Sequence, residues 1–406
     1  MFFSNTYPVS ISDISQPIKS VPDKVFGGTQ NFNSSRNIYV LNEACLYKNQ
    51  IISVSKDGVF LNIIGAKAEK RNYQNRFSIF SKFKILNAQL IQNEKNNFFF
   101  IPHNKHKSNY WHCLFDNISQ LAFISQNVED LNVIMPNTVG DFIKKYVLFL
   151  KRFYKFRLQF VDENTPLKIK SRIVFTEPSL FGEFEHNHAI GLELINIAKE
   201  IFKKKKLKIE RVEYKHGSIP HRFKINKNNK TEFYKCYSMP WSTPVRRSSL
   251  EALRNFSNFF SKKNLLKKKI IYSQRVGENP KDLIHRNPLN ENLILKEIKK
   301  KFKVEIIDFS KINFDQQVKI MTQTKLFICV HGSGPANIAY MSKNTGLVEI
   351  MPYDYSVPIT QMSRACADGL GIYYKRVDGI PSQYKDKYNV EISKVLKAIN
   401  EMNKLI

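Results

Sequence analysis

Apolar and polar positions along the chain fall into two kinds of run. The early part alternates in short stretches. Residues 39–41, 44–47, 51–55 and 59–64 are of strand length and rich in Val, Ile, Leu and Tyr, and Asp57-Gly58 marks a hairpin turn before the last. These stretches predict a small antiparallel β meander near the N-terminus, with a further strand at 98–102. From residue 109 onward, strand-length apolar runs alternate with stretches of helical spacing. Leu114, Ile118 and Leu121 fall on one face of a helix, followed by a strand at 132–135, a helix at 139–154 and a strand at 173–175. Residues 213–246 are polar, without a period, and read as loop approaching a domain boundary. The rhythm then resumes: helix 248–260, strand 269–274, helix 290–302, strand 304–307, helix 314–322, strand 326–330, a helical stretch 335–341 and strand 346–351. Loop and helix over 354–368, a strand at 372–377 and an amphipathic helix at 392–402 complete it. Residues 1–36, rich in Ser and Asn, read as an irregular lead-in.

Alternating strands and helices imply parallel sheets covered on both faces, so the class is α/β. At 406 residues the chain is long for one core, and the reading is two domains, 1–245 and 246–406. Two βα domains in sequence place strand ends and helix starts around a cleft between them.

Composition narrows this picture without changing it. An apolar fraction of 42% with 13% aromatics excludes a disordered chain. No apolar run is long enough to span a bilayer, and the first residues lack the basic flank and apolar stretch of a signal peptide. Cys45, Cys113, Cys236, Cys329 and Cys366 are scattered, odd in number and outside any metal spacing, which points to thiols in a reducing cytoplasm. The net charge of +29 admits nucleic acid, an anionic membrane surface or a polyanionic substrate. Its Lys runs at 203–206, 267–269 and 299–301 stand beside no nucleic-acid-binding pattern, so nucleic acid is set aside. Peripheral contact with an anionic membrane remains, at about 1 kcal/mol per basic residue near the lipid. A Lys-rich composition with no partner behind it remains as well.

Two stretches carry candidate chemistry. In the first, an apolar strand ends at Val330, His331-Gly332-Ser333-Gly334 turns sharply, and Pro335 opens a helix. Glycines let a ligand approach the backbone, and the unpaired N–H groups of a helix start favour anions such as phosphate. Asn337 stands where the last glycine of a dinucleotide fingerprint would fall, and no Lys-Ser/Thr pair makes a P-loop. A tight βα turn with a structural histidine is the competing reading. In the second stretch, His112 and Asp116 are four apart and stack on one helix face. A carboxylate and an imidazole so placed suit general-base chemistry, and a surface pair near a helix start explains them equally. His186-Asn187-His188 lacks a third ligand for a metal.

Taken together, four segments resemble glycosyltransferase family 61. The family's N-Y-x-H-W-L-x-E/D-x-L-x-x-L is met by Asn109, Tyr110, His112, Leu114, Asp116, Ile118 and Leu121. Its I-S-R-R and following R-x-x-x-N-E are met by Ser273-Gln274-Arg275, Arg286 and Asn290-Glu291, and its F-x-x-Q by Phe314 and Gln317. Its H-G-A-G-L-T-N with G-x-x-V-I-E-I-x-P is met by 331–337, then Gly346, Val348, Glu349 and Pro352. Departures are Cys113 for Trp, Gln274 for the first Arg, and Ser-Gly-Pro-Ala for Ala-Gly-Leu-Thr.

The resemblance implies two Rossmann-like domains facing a central cleft (the GT-B type) and inverting transfer from a nucleotide sugar to a glycan or lipid-linked acceptor. The bacterial members act in capsule or surface polysaccharide assembly, which sets the expected place at the inner membrane face. On this view Gly332, Ser333, Gly334 and Asn337 cradle the diphosphate, and Arg275 and His331 meet the leaving charge. Asp116, with His112 beside it, is then the base. Glu349 bonds the ribose or is an ordinary strand-end glutamate. No metal or other cofactor is expected beyond the donor, since no carboxylate pair stands near the turn. A non-catalytic nucleotide-sugar or polyanion binder of the same fold is the alternative, and it has no need of a base.

Overall fold

A computed structural model of the chain describes residues 7–10, 15–26, 31–48, 50–54, 60–64, 84–101, 110–176, 209–211, 222–227, 230–236, 245–260, 269–274, 287–352, 362–384 and 387–406. The chain divides into two compact units, Met1–Lys24 with Asn33–Met239, and Val25–Phe32 with Pro240–Ile406.

The described part of the lead-in is not irregular. It holds strands β1 (Tyr7–Ser10) and β2 (Pro17–Phe26), and β3 (Asn31–Tyr47) begins before the first expected strand. The reason is burial: β2 is exposed or half-exposed until Val25 and Phe26, so no apolar alternation announces it. β3 is also one long strand where the sequence suggests two. Its pairing with β9 shifts register between Leu41 and Glu43, and a bulge there breaks the alternation that a regular strand would show. β4 (Gln50–Val54) and β5 (Phe60–Ile64) complete the expected meander as antiparallel neighbours, with Val54 opposite Phe60. The Asp57-Gly58 turn lies outside the described residues.

Beyond the meander, β6 (Gln89–Phe100) leads to helix α1. α1 runs as an α-turn Tyr110–His112, a π-helical stretch Cys113–Ile118 and an α-helix Ser119–Asn127. β7 (Leu131–Pro136), α2 (Asp141–Leu150), β8 (Phe156–Val161) and β9 (Leu167–Thr176) follow. β7 is parallel to β6 and β8, and β6 is parallel to β9, which gives the βα layer expected here. β8 has no counterpart in the sequence reading; it lies at the sheet edge and is largely exposed, so it lacks an apolar run. The core of this layer is Phe98, Phe100, Ile134, Ile169, Ile173 and Phe175, set against Tyr39, Leu41 and Leu46 of β3. β10 (Ile209–Arg211), β11 (Arg222–Lys227) and β12 (Lys230–Cys236) make a small antiparallel sheet, with Lys227 paired to Lys230. This corrects the loop assigned to 213–246. The alternation of Phe223 and Ile225 between basic residues is too brief to register as a strand.

The second unit opens with β13 (Val245–Arg246), paired to Val25 and Phe26, and with α3 (Arg247–Phe260). Its centre is a five-stranded parallel sheet. The chain runs β14 (Lys269–Ser273), α4 (Glu291–Lys301), β15 (Val304–Ile307), α5 (Phe314–Thr322), β16 (Thr324–Val330), a 3-10 helix Gly334–Tyr340, β17 (Gly346–Met351), α6 (Met362–Leu370) and β18 (Tyr373–Asp378). The hairpin β19 (Ile380–Pro381) and β20 (Tyr388–Asn389) and helix α7 (Ile392–Leu405) close it. Strand order is β15-β14-β16-β17-β18, all parallel, the 2-1-3-4-5 order of an open doubly wound sheet. One face carries α4 and α7, whose Ile294, Ile298, Val395, Ile399 and Met402 bury against Leu326, Ile328, Val348 and Ile350. Each such side chain contributes about 1.5–3 kcal/mol when fully buried.

Glycines set the two ends of β18. Before it, α6 ends at Gly371, whose φ of +65° suits glycine; Gly371 N–H bonds Asp368 O and Ile372 N–H bonds Ala367 O, the paired bonds of a Schellman stop. After it, Gly379 N–H bonds Met351 O at 2.7 Å, and a Cβ at 379 would stand 2.3 Å from Tyr388 Cδ2 and 3.0 Å from Met351 O. Gly379→Ala is therefore expected to destabilise the second unit by about 1–3 kcal/mol, the usual cost of overpacking. Differential scanning calorimetry checks this, and an unchanged transition would show that the Tyr388 ring moves aside freely.

Candidate functional site

The site is built outward from the end of β16. His331 continues the strand by one bond, its N–H reaching Ile350 O at 2.8 Å. The next residue, Gly332, has φ +147°, a backbone state that side chains disfavour, and this makes the sharp reversal. The segment after it is a 3-10 helix and not the α-helix its Pro-opened start suggests. Ala336 N–H bonds Ser333 O at 3.1 Å, and the Asn337 side-chain amide bonds Gly334 O at 3.1 Å. Asn337 thus braces the turn from inside. Residues 335–340 are all buried, a stretch with no polar face to guide α-helical packing, while Gly332, Ser333 and Gly334 remain partly exposed. The accessible part of the stretch is the turn itself.

The topology gives this turn its place. In a 2-1-3-4-5 sheet the connections reverse direction between β14 and β16, and ligands of such sheets lie at that switch point, beyond the carboxyl ends of the strands. The turn leaves the carboxyl end of β16, and a Cβ on Gly334 would stand 3.7 Å from Ser273 Oγ at the end of β14. Arg275, expected to supply a cation, follows two residues later and lies outside the described residues.

Behind the turn is a buried polar cluster. Glu349, fully buried on β17, receives His331 Nδ1 at 2.8 Å and Ser363 Oγ at 2.9 Å on Oε1, and the Tyr374 hydroxyl at 2.8 Å on Oε2. Parallel register explains the gathering. Glu349 lies opposite Cys329 on one neighbour and Arg376 on the other. His331 and Tyr374 are each two residues from those partners, so the period of two brings them to the face of Glu349. Ser363 comes from the first turn of α6. Burial and the Glu349 charge push the Tyr374 phenol well above its ordinary value, so it stays a donor. Burial, then the charges of Glu349 and Asp368, does the same to the Cys366 thiol. Glu349, expected at a ribose, has its carboxylate oxygens turned to these side chains.

Other residues of the sequence motifs have supporting roles. Gln317 donates to Phe309 O at 2.8 Å and Ile312 O at 3.1 Å, and Phe314 packs edge-on against Tyr340 of the 3-10 helix, with centroids 5.6 Å apart. Asn290 bonds Val390 in both directions, at 2.8 and 3.0 Å. Glu291 accepts from the Tyr272 hydroxyl at 2.9 Å and the Asn287 amide at 3.3 Å, and burial pushes its carboxyl up.

In the first unit, the His112 and Asp116 side chains lie outside the described residues; His112 ends an α-turn, while the backbone of Asp116 differs from the expected α-helix. Asp116 is in the π-helical stretch, where each N–H reaches back five residues, so the i, i+4 spacing of an ordinary helix does not apply unaltered. Such π turns occur often at functional sites. The Asn117 and Gln120 side chains are buried, and among the described residues their amide nitrogens have no hydrogen-bond partner. Orphaned buried donors of this kind call for a specific explanation. Among the described residues no three His, Cys, Asp or Glu side chains gather as a metal requires, and no helix is long and apolar enough to cross a membrane.

Ser363 and Tyr374 are the participants that sequence reasoning misses. They stand 14 and 25 residues from Glu349 on separate elements, and only the sheet register connects them. A comparison with curated proteins finds no match. The family model described as Glycosyltransferase 61 matches residues 110–348, from the start of α1 into β17, a span that takes in both candidate stretches. The chain belongs to the glycosyltransferase 61 family.

Proposed function

We propose that the protein is an inverting glycosyltransferase that uses a nucleotide sugar and a glycan or lipid-linked acceptor in bacterial surface polysaccharide assembly. Family membership supports glycosyl transfer in general. The observation that carries the donor-site reading is the accessible Gly332–Gly334 turn at the switch point of the second sheet, with His331 held against Glu349 beneath it.

In this mechanism the turn receives the diphosphate through its backbone, and His331 with Arg275 meets the charge that grows on the leaving group. Fixed partners of this kind stabilise a transition state because they need no reorganisation as charge develops. Asp116 takes the proton of the acceptor hydroxyl as that oxygen attacks the anomeric carbon and the bond to the diphosphate breaks. His112 orients Asp116 or shares the proton. No metal is assigned a role. The basic surface, with Lys296, Lys299, Lys300 and Lys301 along α4, holds the protein at an anionic membrane face of the cytoplasm.

Donor binding is tested by a thermal-shift screen against nucleotides and nucleotide sugars. A true donor near one hundred times its dissociation constant stabilises by about 2.7 kcal/mol. Gly334→Ala fits the fold, because its Cβ would meet Ser273 Oγ at an ordinary 3.7 Å. Gly334→Val is expected to keep most of the stability and to lose the donor-induced shift, by crowding the approach to the backbone. An undiminished shift in the valine variant removes the turn from the donor site.

The base is tested with saturating donor, so that binding defects do not pass for chemical ones. Asp116→Asn is expected to lose at least about a hundredfold in turnover, the low end for a positioned general base, with donor binding unchanged. Turnover in this assay is expected to survive EDTA. Full activity in both Asp116→Asn and His112→Ala places the base elsewhere, and full activity loss on chelation, restored by Mg²⁺, rejects the metal-free mechanism.

Membrane contact predicts sedimentation with anionic vesicles at low salt and release near 1 M, where the Debye length is about 3 Å. Absence of binding at low salt leaves the excess Lys without a lipid partner.

A further inference from the structure

We propose that the second unit docks on an anionic bilayer through the carboxyl edge of its sheet. Leu289, Leu293 and Tyr384 enter the headgroup layer, and the lysines of α4 and α7 hold the lipid phosphates. This face rests on the membrane contact proposed above and gives it named side chains.

Topology gathers the apolar residues at one edge. β14 and β18 end at the same edge of a parallel sheet, so the start of α4 and the β19–β20 hairpin both lie there, as does the 332–334 turn. The two connections are joined. Leu289 N–H bonds Tyr388 O at 2.9 Å, and Asn290 bonds Val390 in both directions. Around this junction Leu289 is 45% exposed, Leu293 55%, Ile380 39% and Tyr384 57%. Single apolar side chains in water are ordinary, but a group of them at one junction marks a contact site. The hairpin tip is held in shape: Tyr384 N–H bonds Ser382 Oγ at 3.1 Å, and Lys387 N–H bonds Tyr384 O at 3.2 Å. A helix start and a hairpin tip offer separate side chains and no groove, which suits a fluid lipid surface better than a shaped protein partner.

Charge selects the occupant. From Leu293, steps of three and four residues reach Lys296 and Lys300, so all three share the outer stripe of α4. α4 has exposed lysines at 296 and 299–301, and α7 has them at 394, 397 and 404. The acids of these helices offset little of this. Glu291 is buried, Glu297 is paired with Lys300, and Glu401 is paired with Lys375 of β18. Glu391, at the cap of α7, is paired with Lys394. Lysine beside leucine and tyrosine is the composition of an interfacial face, where the ammonium meets phosphate and the methylene stem covers apolar surface. A second copy of the chain on this face would set lysine against lysine, which costs affinity. Docking by this edge also brings the 332–334 turn to the layer from which a lipid-linked acceptor comes.

The test uses the full chain and sedimentation with vesicles. The wild type is expected to bind phosphatidylglycerol–phosphatidylcholine vesicles at low salt and to leave pure phosphatidylcholine vesicles in suspension. Leu289→Asn combined with Leu293→Asn is expected to weaken binding about a hundredfold, roughly tenfold per leucine, the low end for burial of such a side chain. Its thermal transition is expected to stay in place, because both side chains are exposed in the free chain. Lys296→Gln with Lys300→Gln is expected to weaken low-salt binding about twentyfold. Leu405→Asn, as exposed but at the far end of α7, is expected to bind as the wild type does. Tyr384→Trp adds an emission that is expected to shift to the blue on these vesicles and to be quenched by brominated lipid. Undiminished binding in the double leucine variant, or an added emission that vesicles leave unchanged, overturns the docking face while membrane contact through charge stands. A wild-type chain that ignores anionic vesicles at low salt removes both. Self-association seen by light scattering and abolished in the double leucine variant assigns the face to a second copy and overturns it too.

Discussion

A carboxylate with no exposed surface has to be answered by its neighbours. Removing a charge from water costs several kcal/mol even after the protein relaxes, and the cost is met only where hydrogen-bond partners surround it in good geometry. Glu349 has three within 2.9 Å. Meeting this one demand constrains much of the second unit. β16 must end where His331 reaches the Glu349 face, and β18 must enter in the register that brings Tyr374 to the opposite oxygen. α6 must begin close enough for Ser363, and its Schellman stop at Gly371 then delivers the chain into β18. Deleting one partner of such a cluster is far more damaging than the pairwise worth of a hydrogen bond suggests.

The same cluster shows how residues far from any ligand shape a site. The F-x-x-Q residues look like candidates for chemistry when only their spacing is known. In the structure Gln317 ties α5 to the backbone at Phe309 and Ile312, and Phe314 presses on Tyr340, so the pair supports the 3-10 helix behind the turn. Asn290 acts similarly at a distance, using both ends of its amide on Val390 to dock the segment after β20 on the start of α4. Among the described residues of this stretch, Gly332, Ser333 and Gly334 are the partly exposed ones, in front of the buried cluster.

Legibility in the sequence followed burial. The strands at 326–330 and 346–351 and the helix at 314–322 stand out because their apolar residues are buried at a regular period, and the structure has them close to those bounds. β2 and β8 are largely exposed, and a strand that buries little carries no alternation to read. The bulge at Leu41/Glu43 hid the length of β3 for a related reason, since it interrupts the period without ending the strand. For the site, His331 and the glycines were legible because a backbone reversal needs particular residues. Ser363 and Tyr374 were not, because only tertiary register brings them to Glu349. The π-helical turn at Asp116 also leaves no mark in the spacing of Leu114, Ile118 and Leu121, all buried in either kind of helix.

The 3-10 character of 334–340 changes where an anion would find its attraction. An α-helix start would offer its macrodipole, worth roughly 0.3–1 kcal/mol for a charge near an exposed terminus. A seven-residue 3-10 helix is a poor source of such a field, since its peptide dipoles are few and its hydrogen bonds less well aligned. The N–H groups of the turn can still bond phosphate oxygens, but the balancing charge has to come from side chains. Within the turn, the His331 ring is held from behind by the buried Glu349 carboxylate at 2.8 Å.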